Sequence, residues 1–385
     1  ATTSKIHTAV KINEHYSNNT VVHVIDASKS VGVLNKLLGK KNKEYLNQVN
    51  NEYEAIKEKY LKRKSEKKYL TLAQARKNSL KTDWENHDIT KPHLMGVKVF
   101  DSIKLEEIRD YIDWTPFFYT WEMRQKYPEI FEDKNFGKQA LQLFEDANLL
   151  LDQVIKEDWV FAKSVIGVWP ANSCGDDILV YENDKVIETI CCLRQQNKKY
   201  GSNMSLSDYI APKSSNREDY IGAFVCTAGL GIEKKLKEFE KDFDDYNIIM
   251  LKALADRLAE ALTEFMHEKL RKEIWGYSLN EKLSNNDLIA EKYIGIRPAP
   301  GYTACPDHSE KLKIFDLLNA KENIGVSLTE SMAMYPNSSV SGYYFSHPNS
   351  KYFSVGKVEE DQVKDYARRK KMTINETEKW LRSNM

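Results

Sequence analysis

The sequence predicts an α+β protein with a mainly antiparallel central sheet flanked by helices, preceded by a truncated doubly wound α/β fragment. Three observations predict the larger part. Strand-like runs gather at SVIGVW (from Ser164), DILVY (from Asp177), VIETICCL (from Val186) and DYIGAFVCTAG (from Asp219). The second and third are separated only by a tight turn at 182–185, which joins antiparallel neighbours and is too short for a parallel crossover. Helical and strand patterns then follow one another without a βα repeat, and a long apolar stripe of Leu251, Leu254, Leu258, Leu262 and Phe265 supplies a helix to cover the sheet.

ATTSKIHTAVKINEHY forms a helix with Ile6, Ala9 and Val10 on one side, VVHVID from Val21 is a short strand pattern, and SVGVLNKLL from Ser30 is helical again. One strand cannot make a parallel sheet, so this αβα piece reads as the end of a sheet whose other strands would precede it. From Lys36 to Lys77 the sequence turns basic, and Leu46, Val49, Tyr53, Ile56 and Tyr60 recur at three- and four-residue spacing. That is an amphipathic connecting helix with a solvated charged face. The expected division is 1–38 as the α/β remnant, 39–80 as a basic helical linker and 81–385 as the main domain.

In the main domain a helix around Lys104 to Ile112 leads into DWTPFFYTW, where aromatic residues crowd Pro116. The stretch Lys138–Lys156 carries Leu141, Phe144, Ala147, Leu151 and Val154 on one stripe and is a helix. The long helix spans Asp244 to Trp275 and places Asp256, Glu260 and Glu264 in an i, i+4, i+8 row. Later strands are expected at Ser327–Met334, Ser341–Phe345 and Tyr352–Val358. DQVKDYARRKK and Ile374–Arg382 close the chain as helices.

Composition narrows the function classes. Lys plus Arg equals Asp plus Glu at 57 each, so net charge gives no reason to expect nucleic acid or an anionic membrane as partner. No stretch approaches the roughly 18 apolar residues of a membrane span, and the start does not resemble a signal peptide, so the expected location is the cytoplasm. Five cysteines without framework spacing fit reduced thiols. Cys305 and His308 form a C-x-x-H pair but lack a second pair nearby, so no metal site is expected.

The run GIRPAPGYTACPDH, from Gly295 to His308, holds three of the ten prolines around Arg297. Proline fixes its own φ and restrains the residue before it, so the run should be open backbone whose amides and carbonyls are free for a ligand. A rigid backbone beside a planar fork of donors suits a small molecule with a carboxylate at one end and a flat heterocycle at the other; the alternative is a connecting loop with Arg297 paired to a nearby Glu. A competing motif is GAFVCTAG with Gly229 and Gly231 ahead of IEKKLKEF, which mimics the first turn of a dinucleotide-binding unit. Lys234 stands where its third glycine would fall. No Walker motif, nucleophile elbow or H-E-x-x-H is present, which leaves hydrolase readings without a nucleophile.

IDWTPFFYTW, GVWPANSCGDDILVY, DYNIIMLKALADRLAEAL, GIRPAPGYTACPDHSEK and SGYYFSHPNSKYFSVGKVEEDQVKDYARRK, in this order, closely resemble the C-terminal activation domain of cobalamin-dependent methionine synthases. The resemblance covers about 65 to 385, and ATTSKIHTAV through VIDASKSV is similar to the last piece of the family's cobalamin domain. It implies that Asp113 and Arg297 hold the methionyl end of S-adenosylmethionine, an aspartate against the ammonium and an arginine against the carboxylate. Backbone groups at Arg297, Ala299 and Tyr302 would contact the ligand, Tyr352 and Phe353 would join them, Glu260 and Glu291 match acidic residues near the pocket, and Ala27 matches a position lining cobalamin. Glu260 and Glu291 could equally pair with Arg257 or Arg297.

The D-x-H-x-x-G motif of the family's cobalamin domain is missing, as are its substrate modules with their zinc. The resemblance therefore implies the reactivation part of the enzyme, a methyltransferase, with a fragment that does not make methionine alone. In that role the domain docks on the cobalamin-binding domain after oxidation to cob(II)alamin, an electron arrives from a flavodoxin-like donor, and bound S-adenosylmethionine remethylates cobalt. Such a step needs aim more than acid or base groups, which predicts a concave, partly open site. The alternatives are a nicotinamide-dependent oxidoreductase built on Gly229 and Gly231, or a non-catalytic docking module that meets an acidic redox protein through the basic helix.

Overall fold

The computed structural model describes residues 3–16, 19–24, 27–66 and 68–385, the side chains at 27–28 and 63–66 lying outside that description. The described chain divides into two compact units, Ala1–Leu70 and Thr71–Met385. In the first, helical turns cover Lys5–His7, Thr8–Ile12 and Asn13–His15, and longer helices span Ala27–Leu38 and Asn42–Glu66. Ala9, Val49 and Tyr53 bury together with Val22, Tyr45 and Ile56 packed against them, whereas Ile6 is 55% exposed.

The strand expected at Val21 has no ladder among the described residues. The Val21 amide donates to Asn13 Oδ1 (2.9 Å) and the His23 amide to the Tyr53 hydroxyl (2.9 Å). Without neighbouring strands, side chains satisfy these amides instead.

The second unit is built on a six-stranded sheet. Its strands are β1 (Gly96–Ile103), β2 (Phe161–Cys174), β3 (Asp177–Glu182), β4 (Lys185–Cys191), β5 (Asp219–Leu230) and β8 (Ser339–Tyr344); β6 (Ser327–Leu328) and β7 (Met334–Tyr335) form a separate ribbon. The order is β4-β3-β2-β5-β8, with β1 against the first half of β2, and every ladder is antiparallel. At the β3–β4 turn Asn183 and Asp184 take φ of 49° and 62°. Two successive positive φ values are what a two-residue type I′ turn requires, and Asn and Asp tolerate them.

β5 is buried along nearly its whole length, because the sheet is covered on both faces. Tyr220, Phe224, Cys226 and Ala228 face one core with Leu251, Leu254, Leu258 and Leu262 of the long helix Asp245–Lys269 and with Ala147, Leu151 and Val154 of the helix Gly137–Lys156. Ile221, Ala223 and Val225 face the other, with Ile314, Phe315, Val363, Tyr366 and Leu381 from the helices Lys311–Leu318, Glu360–Lys370 and Ile374–Leu381. The period-2 alternation of one strand thus serves two cores.

Three parts differ from the sequence expectation. The run expected as a strand at Tyr352–Val358 forms no ladder; single bonds hold it, Val355 amide to Thr303 carbonyl (2.8 Å) and Val358 amide to Asn384 carbonyl (2.6 Å). The strand expected across Ser327–Met334 is a two-residue pairing on either side of a turn. Thr71–Lys77 belongs to the second unit: the Leu72 amide donates to Asp361 (2.6 Å), and Arg76 pairs with Asp176 and Asp365.

Candidate functional site

A cavity of about 570 Å³ opens between the long helix Asp245–Lys269, the segment 111–116 and the Pro-rich loop. Each wall has a local cause. The aromatic residues after Asp113 bury: Phe117 and Phe118 are inaccessible, and Trp114 packs edge-on against Phe117 and Phe144. Pro116 sits in the first turn of the helix Thr115–Thr120, where its missing N–H costs nothing. Asp113, just ahead of that helix, accepts from the Thr115 amide (2.9 Å) and is thereby held at the cavity wall.

The helix wall is one face of Asp245–Lys269. Arg257, Glu260, Ala261 and Glu264 recur at i, i+3, i+4 and i+7 and line the cavity, while the leucines of the same helix face the sheet. The third wall is the loop with Arg297, Pro298, Ala299, Tyr302, Thr303 and Ala304, backed by Tyr293 and Tyr352. The rim is open, since Tyr302 is 68% and Ile289 46% exposed.

The loop is less free than its prolines suggest. Ile296 exchanges both backbone bonds with Phe345 (3.0 Å each), and the Pro298 carbonyl accepts from the Tyr343 amide (3.0 Å), so 296–298 runs along the outer edge of β8. Proline loses its donor but keeps its acceptor, and a ladder can use the carbonyl alone. Of the three backbone positions expected at the ligand, the Arg297 amide already donates to the Tyr352 hydroxyl (3.0 Å) and the Tyr302 amide to the Ala299 carbonyl (3.2 Å).

Arg297 is an internal cation. Its Nη2 donates to Glu264 Oε2 at 2.7 Å, whereas Arg297 Nε and Glu264 Oε1 are buried without a partner. Burial alone would lower its pKa, but Glu264, then Tyr293, Tyr352 and Glu260, carry it well above the usual arginine value. Neither Glu260 nor Glu291 forms an ion pair among the described residues, so the partner of Arg297 is Glu264. Burial raises the Glu291 pKa against the pull of Arg297.

The cavity therefore brings together Asp113, Arg297, Ala299, Tyr302, Tyr352, Glu260 and Glu291. Phe353 lies off its wall, buried beside Tyr209, and reaches the site only through its carbonyl, which accepts from Thr303 Oγ1 (3.1 Å). The side chain of Ala27 is outside the described residues. Sequence reading missed Tyr111, Arg257, Glu264 and Tyr293 as lining residues; Glu264 was visible only as one member of an acidic row. Cys305 is buried in the second core, and no cluster of three or more His, Cys, Asp or Glu able to hold a metal is found among the described residues. Gly229 lies within β5 and Gly231 just after it, and that strand is flanked on both sides by antiparallel neighbours, which is not the setting of a dinucleotide-binding βαβ unit.

The comparisons with known proteins agree with this architecture. The crystal structure of the MetH reactivation domain bound to AdoHcy is 50% identical in sequence and superposes with a TM-score of 0.80, over 82% of this chain and 98% of its own. Residues 104–371 match the family described as vitamin B12 dependent methionine synthase, activation domain. That match takes in the long helix, the Pro-rich loop, Tyr352 and Asp113, so the chain belongs to the methionine synthase activation-domain family.

Proposed function

We propose that this chain binds S-adenosylmethionine in the cavity beside Arg297 and serves the reductive remethylation of oxidised cobalamin in methionine synthase. The observation that carries the ligand assignment is the Arg297 side chain, mostly buried and bonded to Glu264 through Nη2 alone, on the wall of a cavity that also holds Asp113. An arginine there suits the carboxylate of an amino-acid ligand and an aspartate its ammonium. The AdoHcy-bound relative supports a ligand of this class.

In this reading Arg297 and Asp113 hold the methionyl end, Ala299 and Tyr302 contact the ligand from the loop, and Tyr352 and Phe353 brace that loop. Glu260 and Glu291 add negative potential, favourable to a cationic sulfonium. Reduced cobalamin, held by another domain of the intact enzyme, would supply the nucleophile for the sulfonium methyl, while Arg297 and Asp113 here would keep that methyl turned toward the open rim. The chain's own part is to bind, orient and leave one side open, which makes the transfer effectively unimolecular.

The same reading makes 1–38 the remnant of a cobalamin-binding domain, with Ala27 as a cobalamin contact, and 39–80 a linker. Cobalamin would be held mainly by that domain of the intact enzyme, zinc would lie outside this chain, and a flavodoxin-like protein in the cytoplasm would deliver the electron. The chain alone is not expected to make methionine. Titration calorimetry of the whole chain with S-adenosylmethionine tests the core of it. Binding that weakens at least roughly tenfold in Arg297→Ala is expected, as for loss of a charge-assisted anchor; no binding, or binding indifferent to the substitution, sinks the assignment.

A further inference from the structure

We propose that Glu264 is a positioning residue for the ligand carboxylate: it takes the side-on edge of the Arg297 guanidinium and leaves the end-on Nη1 as the donor aimed at the ligand. The proposal rests on the S-adenosylmethionine reading above. It starts from an asymmetry in the pair, since only Nη2 and Oε2 are bonded (2.7 Å), while Nε on that same edge and Oε1 on that same carboxylate are both buried without partners. The two unused groups are complementary, so a small rotation of Glu264 closes a two-point fork. Nη1 makes no hydrogen bond within the described protein and is not among the buried atoms left without a partner.

The neighbours single out Glu264. Glu260, one turn earlier, and Glu291 line the same cavity but form no ion pair among the described residues. Behind Glu264 on the same helix, His267 is fully buried with neither ring nitrogen bonded, stacked on Tyr344 (5.2 Å) and edge-on to Tyr293 (4.7 Å). Burial, then Arg271 and Arg297, push its pKa well below the usual histidine value, so it stays neutral and does not compete with Arg297 for the carboxylate. Arg271 is held by its own carboxylate, Glu281 (2.6 Å). Arg297 is thereby ordered before the ligand arrives, and the ordering entropy of a long side chain is not charged to binding.

A carboxylate that merely neutralised Arg297 would have the opposite effect on an anionic ligand group: removing it would strengthen binding. The sign decides between the two roles. The experiment is calorimetry on the whole chain with S-adenosylmethionine and with its decarboxylated counterpart, after circular dichroism has shown each variant folded. The wild type should prefer the carboxylate-bearing ligand by roughly tenfold or more. Glu264→Gln should bring the preference within about threefold by weakening only that ligand, and Arg297→Ala should do the same. Glu264→Asp keeps the charge but withdraws it by one methylene, so it should also lose preference, and it serves if the glutamine variant fails to fold. A preference that persists or widens in these Glu264 variants overturns the proposal. A wild type with no preference overturns the Arg297 anchor and this proposal with it, and that failure is seen before any substitution is made.

Discussion

Gly301 shows how closely single residues set the site. It sits at φ 94° in the turn where its amide donates to the Cys305 carbonyl (2.7 Å), and a Cβ there would lie 2.1 Å from the His308 ring. Gly301→Ala is expected to cost about 1–3 kcal/mol of stability from the backbone conformation, and to weaken the ligand because Ala299 and Tyr302 flank the turn. Urea unfolding and calorimetry check the two effects; unchanged values for both would show that the loop tolerates a side chain there. Arg297 among its prolines could be singled out from the residues themselves and Asp113 only through the family resemblance, and both line the cavity. Glu264 could not be singled out, because Asp256, Glu260 and Glu264 share one helix row. Docking of the helix gives Asp256 to Ser338 Oγ (2.6 Å) and Glu264 to Arg297.

At the scale of elements, two buried titratable groups hold the segments around the sheet end, with opposite signs. His347 Nδ1 accepts from the Asn349 amide (3.1 Å), so Nε2 carries the proton toward Thr82 Oγ1 (3.1 Å), and the ring stacks on His87 at 4.5 Å. Burial, then His87, lowers its pKa to about 4. The unfolded chain therefore takes up that proton first, and stability from His347 is lost as pH falls from about 6.5 toward 4. Asp219, buried and accepting from the Ala211 and Tyr220 amides (2.8 Å each), is raised by burial to about 6. Here the folded chain holds the proton more tightly, so stability falls as pH rises from about 4 to 6.

Each contribution is on the order of 3 kcal/mol, and over most of the range they offset. His87, itself lowered by burial and Arg217, adds to the His347 direction. The expected outcome is unmasking. Asp219→Asn should make the chain lose stability more steeply with acid between pH 6.5 and 4, and His347→Gln should reduce or reverse that slope, read from urea unfolding across the range. Parallel curves for wild type and both variants would remove this account. Neither group was legible in sequence, since their burial depends on how the segments 82–90 and 204–220 fold over the sheet.

On the scale of the whole molecule, both large cores and the cavity lie in Thr71–Met385. A chain of those residues alone is expected to keep a cooperative unfolding transition and to bind S-adenosylmethionine within about twofold of the full chain, since a unit with its own core can fold alone. Calorimetry of the shortened chain checks this, and failure to fold or a large loss of affinity would mean that the first seventy residues take part.

Local periodicity was enough to find β2 through β5, the Asn183–Asp184 turn and the long helix, because alternation and the 3.6-residue stripe are written in adjacent residues. Quoted motifs were enough to indicate the family. Where a segment's partners lie far away in the chain, sequence reading stopped. Tyr352–Val358 has the composition of a strand but joins no ladder, Val21–Val24 lacks strand neighbours among the described residues, and the Pro-rich run gains a bridge to Phe345 and a bond to Tyr343 that its prolines had argued against. The same holds for the site. Sequence marked Arg297 as a candidate for a carboxylate, and tertiary structure alone decided that Glu264 meets Arg297, because ion pairing depends on distances of a few ångströms set by helix docking rather than by spacing along the chain.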